Sequence, residues 1–203
     1  MKVYSLEDGK ILVRAARTAI EQYIKRGAKT YVADLNKFTD LYGVFVTLEY
    51  YPTNELRGCI GFPRAVDTVK NLLVEAAIAA ATDDPRFPPL MLKELESIII
   101  EVSILSEPEL INKKELTDKK IDDTIKIGRD GLIIEYGYSA GLLLPVVAVE
   151  EHWNSSEFLK NVCYKAGLPD DAWQKPSAKL YRFEVQAFKE KTPKGEIFEE
   201  KLL

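Results

Sequence analysis

The sequence predicts an α+β fold with an antiparallel or mixed sheet and packed helices. Three observations carry this. Strand-like segments come in pairs joined by tight turns, as at 42–51 with 55–61. Two long segments at 5–26 and 68–82 carry apolar residues at helical spacing instead. Strands and helices do not alternate strictly, which argues against a parallel doubly wound sheet.

Each element has its own local reason. Ser5 with Asp8 resembles a capping box, and Leu12, Ala16, Ala19, Ile20, Tyr23 and Ile24 form one stripe that Gly27 ends. Residues 42–51 (YGVFVTLEYY) are β-branched and aromatic, and Thr53-Asn54 turns the chain into 55–61. Asp67 is placed to cap a helix over 68–82, whose alanines suit close packing on a sheet. Three prolines make 83–90 a rigid loop. Residues 97–105 (SIIIEVSIL) read as a strand buried on nearly both faces.

A charged connector at 107–120 is the one plausible seam within a single domain. Short strands are then predicted at 121–127, 131–136 and 141–144, turned at Gly128–Gly131 and Gly137–Gly141. Ser155 or Ser156 opens a helix to about Ala166, stopped by Gly167. Residues 179–188 alternate as a final strand, and the tail from 189 reads as loosely held.

Composition excludes several functions. The 203 residues are 46% hydrophobic and 30% charged, a globular balance long enough for a core without disulfides. No apolar run spans a membrane and no secretory leader is visible, so a cytoplasmic location is expected. A net charge of −4, with no basic run longer than two residues, argues against nucleic-acid binding. His152 is the one histidine, which removes HExxH and Cys/His zinc chemistry, and no metal or cofactor is expected. Phosphate-binding glycine loops and GxSxG are absent. Asn, Gln, Cys and Met together number 13, a scarcity that leans toward a thermophilic source.

The unusual chemistry sits at Leu56-Arg57-Gly58-Cys59-Ile60-Gly61. Two glycines inside a strand point to a bulge or to the close approach of another backbone or a ligand. Alternation places Arg57, Cys59 and Gly61 on one face, where a guanidinium beside a thiol would favour thiolate. The competing reading is a small buried cysteine in a hairpin. Asp84, Arg86 and Phe87, displayed by the proline loop, read either as a binding wall or as a stiff crossover whose acids pair locally. Glu101 shares a face with Ser103 in an apolar strand, so it either pairs with a cation, Arg57 or Arg86 first, or lies at a site as an acid–base group. Cys163 lies on an apolar helix stripe and reads as core.

These residues resemble the AMMECR domain family. LRGCIG at 56–61 and DPRFPPL at 84–90 carry the resemblance. EVSILSEPE at 101–109, IGRDGLIIEYGYSAGLLLP at 127–145, EFLKNVCYKAGLPDDAW at 157–173 and YRFEV at 181–185 extend it over nearly the whole chain. One departure is Val146, where the family often has glutamine after the proline.

The resemblance implies two intimately packed subdomains with a cleft between them. It also implies kinship with part A of the AmmeMemoRadiSam system, associated with Memo-type and radical-SAM proteins. It brings no reaction, substrate or cofactor, and marks Leu56–Gly61 as the site. Two functions compete there. One is a binding or accessory module for a partner protein or a small anionic ligand, using Arg57, Gly58, Gly61, Asp84, Arg86, Phe87 and Glu101. The other is an enzyme with Cys59 as nucleophile or modified residue.

Overall fold

The computed structural model describes residues 3–29, 32–116 and 120–201. The elements in chain order are α1 (Leu6–Arg26), β1 (Gly43–Tyr50), β2 (Glu55–Phe62), α2 (Val69–Thr82), β3 (Ile98–Leu105) and β4 (Glu109–Leu110). They continue with α3 (Ile121–Thr124), β5 (Asp130–Tyr136), β6 (Ser139–Leu143), α4 (Pro145–Glu150), α5 (Ser155–Lys165), β7 (Lys179–Glu190) and β8 (Ile197–Glu200). Short 3-10 turns lie between several of them. The class is α+β, and every strand pairing with a resolved register is antiparallel.

The described chain divides into two compact units, residues 3–105 with 186–201 and residues 106–185. The first boundary lies just ahead of the charged stretch 107–120, of which 117–119 fall outside the described residues. The second falls inside β7, whose two halves serve different units.

In the first unit the strands run β2-β1-β3-β7, with β8 on the far side of β7. One face, built from Val44, Val46 and Leu48 of β1 and Ile98, Ile100, Val102 and Ile104 of β3, packs with both α1 and α2 into one core. α1 begins as its sequence predicts: Ser5 and Asp8 complete the capping box, and Gly27 closes the helix at φ 70°. α2 starts one residue later than expected. Thr68 is its N-cap, and Asp67 instead accepts from the Thr68 amide and the Asn71 side chain.

A buried ion pair ties this unit together. Arg17 of α1 donates to Glu190 of β7 at 2.7 and 2.5 Å and to the Leu95 and Ile98 carbonyls, while the Ile100 amide donates back to Glu190.

The second unit holds a smaller sheet, with β5 between β6 and the first half of β7, and β4 on β7. Leu132, Ile134, Phe158, Leu159, Val162, Cys163 and Leu180 form its core.

Several expectations are corrected here. Residues 121–127 are not a strand. α3 occupies 121–124, because Ile121 and Ile125 are spaced as well for a helical turn as for a strand, and Asp122 and Asp123 favour a helix start. The strand at 131–136 pairs only with 139–143 and with β7. α5 is capped by Asn154, with Glu157 completing its capping box, rather than by Ser155 or Ser156. The tail is not loose in its described part. β7 continues to Glu190, and β8 pairs with it, with Ile197 in the core. A short helix, α4, also forms after Pro145, which suits a first helical turn despite the β-branched residues that follow.

Candidate functional site

The hairpin β1–β2 forms the edge of the first unit's sheet, and its register builds the site. Val44, Val46 and Leu48 face Phe62, Ile60 and Gly58 across the pair, and this side meets α2. Phe45, Thr47 and Glu49 lie on the opposite side, with Gly61 and Cys59 beside the first two. The register slips between Leu48 and Glu49, so that Leu48 opposes Gly58 and Glu49 opposes Leu56, leaving Arg57 as the extra residue of a bulge.

That bulge overturns one expectation. Arg57 does not stand beside Cys59. Its side chain turns to the segment after α2, where Nε donates to Glu94 at 2.9 Å and Nη2 to the Pro88 carbonyl at 2.9 Å. Arg57 is only 2% exposed, and Phe87 lies under its guanidinium at 5.8 Å. Glu94 also accepts from the Tyr50 hydroxyl and the Met91 amide. Burial works against the charge on Glu94, but Arg57 and the Met91 amide outweigh it and hold its carboxyl below the ordinary range.

The glycines have steric reasons. A Cβ on Gly58 would sit 2.2 Å from the Ala80 carbonyl oxygen, so the residue admits α2 against the sheet. A Cβ on Gly61 would meet the Phe45 ring at 2.3 Å.

The proline loop closes the free edge of β2 at Cys59. The Cys59 amide donates to Asp84 Oδ2 at 2.8 Å, and Arg86 Nη2 reaches the Cys59 carbonyl at 3.5 Å. Arg86 grips Asp84 through Nε at 2.9 Å and Nη2 at 2.7 Å. The pair thus supplies the acceptor and donor that a neighbouring strand would have supplied. The Arg86 guanidinium holds the Asp84 carboxyl far below its usual range, with the Cys59 and Arg86 amides adding to this. Asp84 is buried, whereas Arg86 remains half exposed with Phe87 5.5 Å beneath it. Asp83 is exposed and takes no part.

Cys59 itself is half-buried. Burial pushes its thiol up, and the Thr47 hydroxyl at 3.2 Å and Arg86 only partly offset this. The thiol is therefore held neutral, contrary to the thiolate expected from an adjacent arginine.

Across the same face the register runs Cys59, Thr47, Glu101 over three adjacent strands. Glu101 has neither Arg57 nor Arg86 for a partner, which corrects a further expectation. Ser103 donates to it at 2.9 Å, and Lys189 lies 3.9 Å away, bound more closely to Glu49 at 2.8 Å. Burial, and then a hydrogen bond and like charge from Glu200, push the Glu101 carboxyl up to about 8.

Sequence reasoning missed Glu94, Thr47, Glu49, Lys189 and Glu200. The alternation of 44–49 into an apolar and a polar set was a legible signal for Thr47 and Glu49. Nothing local marked the rest.

Cys163 is fully buried in the second unit, as expected. His152 is exposed, with Nδ1 2.9 Å from the Val149 carbonyl. Among the described residues no group of His, Cys, Asp and Glu side chains is arranged to hold a metal ion, and no helix is long and apolar enough to cross a membrane.

Comparison with known proteins gives a consistent picture. The AMMECR1 family model matches residues 13–188. A protein of Methanocaldococcus jannaschii is 50% identical, with 100% of both chains covered. One from Thermofilum pendens is 46% identical over 96% of this chain and 95% of its own. The crystal structure of an uncharacterised protein from Pyrococcus horikoshii is similar at a TM-score of 0.88 and 44% identity, covering 95% of this chain and 96% of that one. These relatives come from thermophilic archaea. The family match over most of the chain, with relatives similar end to end, establishes that this chain belongs to the AMMECR1 family.

Proposed function

We propose that the protein is a binding component, an accessory subunit that presents the proline loop capping the β2 edge to a partner segment or a small anionic ligand. The recognising surface is the half-exposed Arg86 with Phe87 beside the Cys59 backbone. The observation that carries this reading is the Asp84–Arg86 grip, which holds a partly exposed guanidinium in one pose against a rigid strand. A pre-set guanidinium suits a carboxylate or phosphate group, because little side-chain freedom is lost on binding.

The enzyme reading has weaker support. A nucleophilic cysteine needs a base or a cation that stabilises thiolate. The Cys59 thiol is held up by burial, Arg57 is committed to Glu94, and the one histidine belongs to the other unit.

Family resemblance names the partners to try first, a Memo-type protein and a radical-SAM protein. The test is a pull-down and calorimetric titration with these proteins, with thermal melts run on each variant. Arg86→Ala is expected to lose binding while still folding, and Cys59→Ser to keep it. Native Cys59 should react with a thiol probe more slowly than free cysteine, yet faster than Cys163. Rapid alkylation of Cys59 together with loss of binding in Cys59→Ser would overturn the reading in favour of the enzyme.

A further inference from the structure

The outer edge of β2 is occupied at Cys59 and open at Gly61. The Cys59 amide and carbonyl both point away from β1, to Asp84 Oδ2 at 2.8 Å and Arg86 Nη2 at 3.5 Å. Backbone groups alternate between the two edges of a strand, and the pairing from Gly58 to Phe62 carries no shift. The Gly61 amide and carbonyl therefore point to the same outer edge, roughly 6.8 Å further along. β2 pairs with β1 alone, and among the described residues nothing takes the Gly61 amide or carbonyl. Beyond Gly61 the edge stops, because Pro63 has no N–H and its carbonyl oxygen lies against Gly43.

We infer that this opening accepts the C-terminal end of an extended polypeptide segment, which pairs antiparallel with Gly61 and sets its terminal carboxylate on Arg86. The inference rests on the binding role proposed above and gives the ligand a class and a direction. The direction follows from the order of groups along β2. The Cys59 carbonyl lies on the Gly61 side of the Cys59 amide, so Arg86 stands between Asp84 and the opening. A strand added at Gly61 meets the guanidinium and goes no further, since the outward groups of Cys59 are taken. Running antiparallel to β2, it reaches that stop with its carboxylate. Running parallel, it would arrive with its ammonium group, which the guanidinium repels.

In this register the penultimate residue of the segment exchanges two backbone hydrogen bonds with Gly61, and the last residue carries the carboxylate to Arg86. Asp84 holds the Nε and Nη2 side of the guanidinium, which leaves Nη1 directed away from that acid. Among the described residues nothing engages Nη1. The Arg86 side chain is 54% exposed and that of Asp84 only 3%, so an incoming carboxylate meets the cation in front of its acid. The grip keeps the guanidinium in place, and little freedom is lost on binding.

The experiment is an NMR titration of the nitrogen-labelled full chain that follows the Gly61 amide and the Arg86 Nε signals. The probes are acetyl-threonyl-valyl-threonyl-valine with a free carboxylate, the same peptide ending in a carboxamide, the same peptide with an ester in place of its penultimate N–H, and acetate. The free-carboxylate peptide should move both signals together, and acetate the Arg86 signal alone. The carboxamide should bind about tenfold more weakly or worse, and the ester several-fold more weakly. Arg86→Gln should lose the response at Gly61. If the peptide moves Arg86 alone, as acetate does, the inference fails while the anion-binding role of Arg86 stands. If no probe moves Arg86, both fail. Equal binding of the carboxamide or of the ester would also overturn the inference, since neither the carboxylate nor the strand pairing would then matter. The native protein decides the matter with these probes even if Arg86→Gln folds poorly.

Discussion

Two charged regions of the first unit are built on opposite rules. Along the edge of β2 each cation has its own acid: Arg57 has Glu94 and Arg86 has Asp84. On the face behind that edge, Glu49 and Glu101 both approach Lys189, with Glu200 also beside Glu101. Matched pairs hold backbone in place, since they also engage the Pro88 carbonyl and the Cys59 amide. The mismatched face is where protonation becomes a variable. Pairing fixes geometry, whereas a surplus of one sign makes a site responsive to pH.

The comparison predicts that breaking a matched pair is the most damaging change. Arg57→Ala should destabilise the protein by about 3 kcal/mol or more, because it leaves Glu94 facing a vacated, desolvated site. Denaturant unfolding checks this. Combining Arg57→Met with Glu94→Leu should recover much of the loss, because an apolar pair of similar volume needs no hydration. If the double variant is no better than the single one, Arg57 acts through Pro88 and Phe87 packing instead.

Gly58→Ala is expected to come next, at about 1–3 kcal/mol, since its Cβ would meet the Ala80 carbonyl of α2 at 2.2 Å and a helix backbone moves less readily than a side chain. An unchanged melt would mean that α2 shifts freely, and the close approach would lose its meaning.

Asp84→Ala should cost about 1–3 kcal/mol, mainly by leaving the Cys59 amide without its acceptor. Arg86 is too exposed for the ion pair itself to add much. The depressed Asp84 carboxyl contributes stability that is present above the ordinary aspartate value and lost as pH falls through its lower folded value. Acid melts of the native protein should therefore show a decline that Asp84→Ala lacks. This is opposite in sign to the alkaline decline expected from the raised Glu101 carboxyl, whose contribution is complete below the ordinary value of 4.5 and lost as pH rises through about 8. One protein should therefore lose stability at both ends of the pH scale for two separable reasons.

How much of this was legible beforehand depends on the range of the interaction. The capping box at Ser5, the stop at Gly27, the hairpin 42–61 and the alanine-rich α2 rest on neighbours within a few residues, and sequence alone determines them. The bulge or close approach expected at LRGCIG is also there, in both forms. What composition leaves open is where a long side chain goes once the strand bulges. Alternation aims Arg57 at the Cys59 face, and the one-residue slip sends it to the other.

Pairings across long separations were decided only by the tertiary structure. Arg57 finds Glu94, Lys189 finds Glu49, Arg17 finds Glu190, and the tail returns as β8. Each of these charges has several chemically equivalent partners in the sequence, among 28 basic and 32 acidic residues. Charge complementarity says that a buried ion must be paired but does not say with which residue. Strand order makes that choice, by setting β3 and β7 beside one another and a carboxyl from β8 within reach of Glu101.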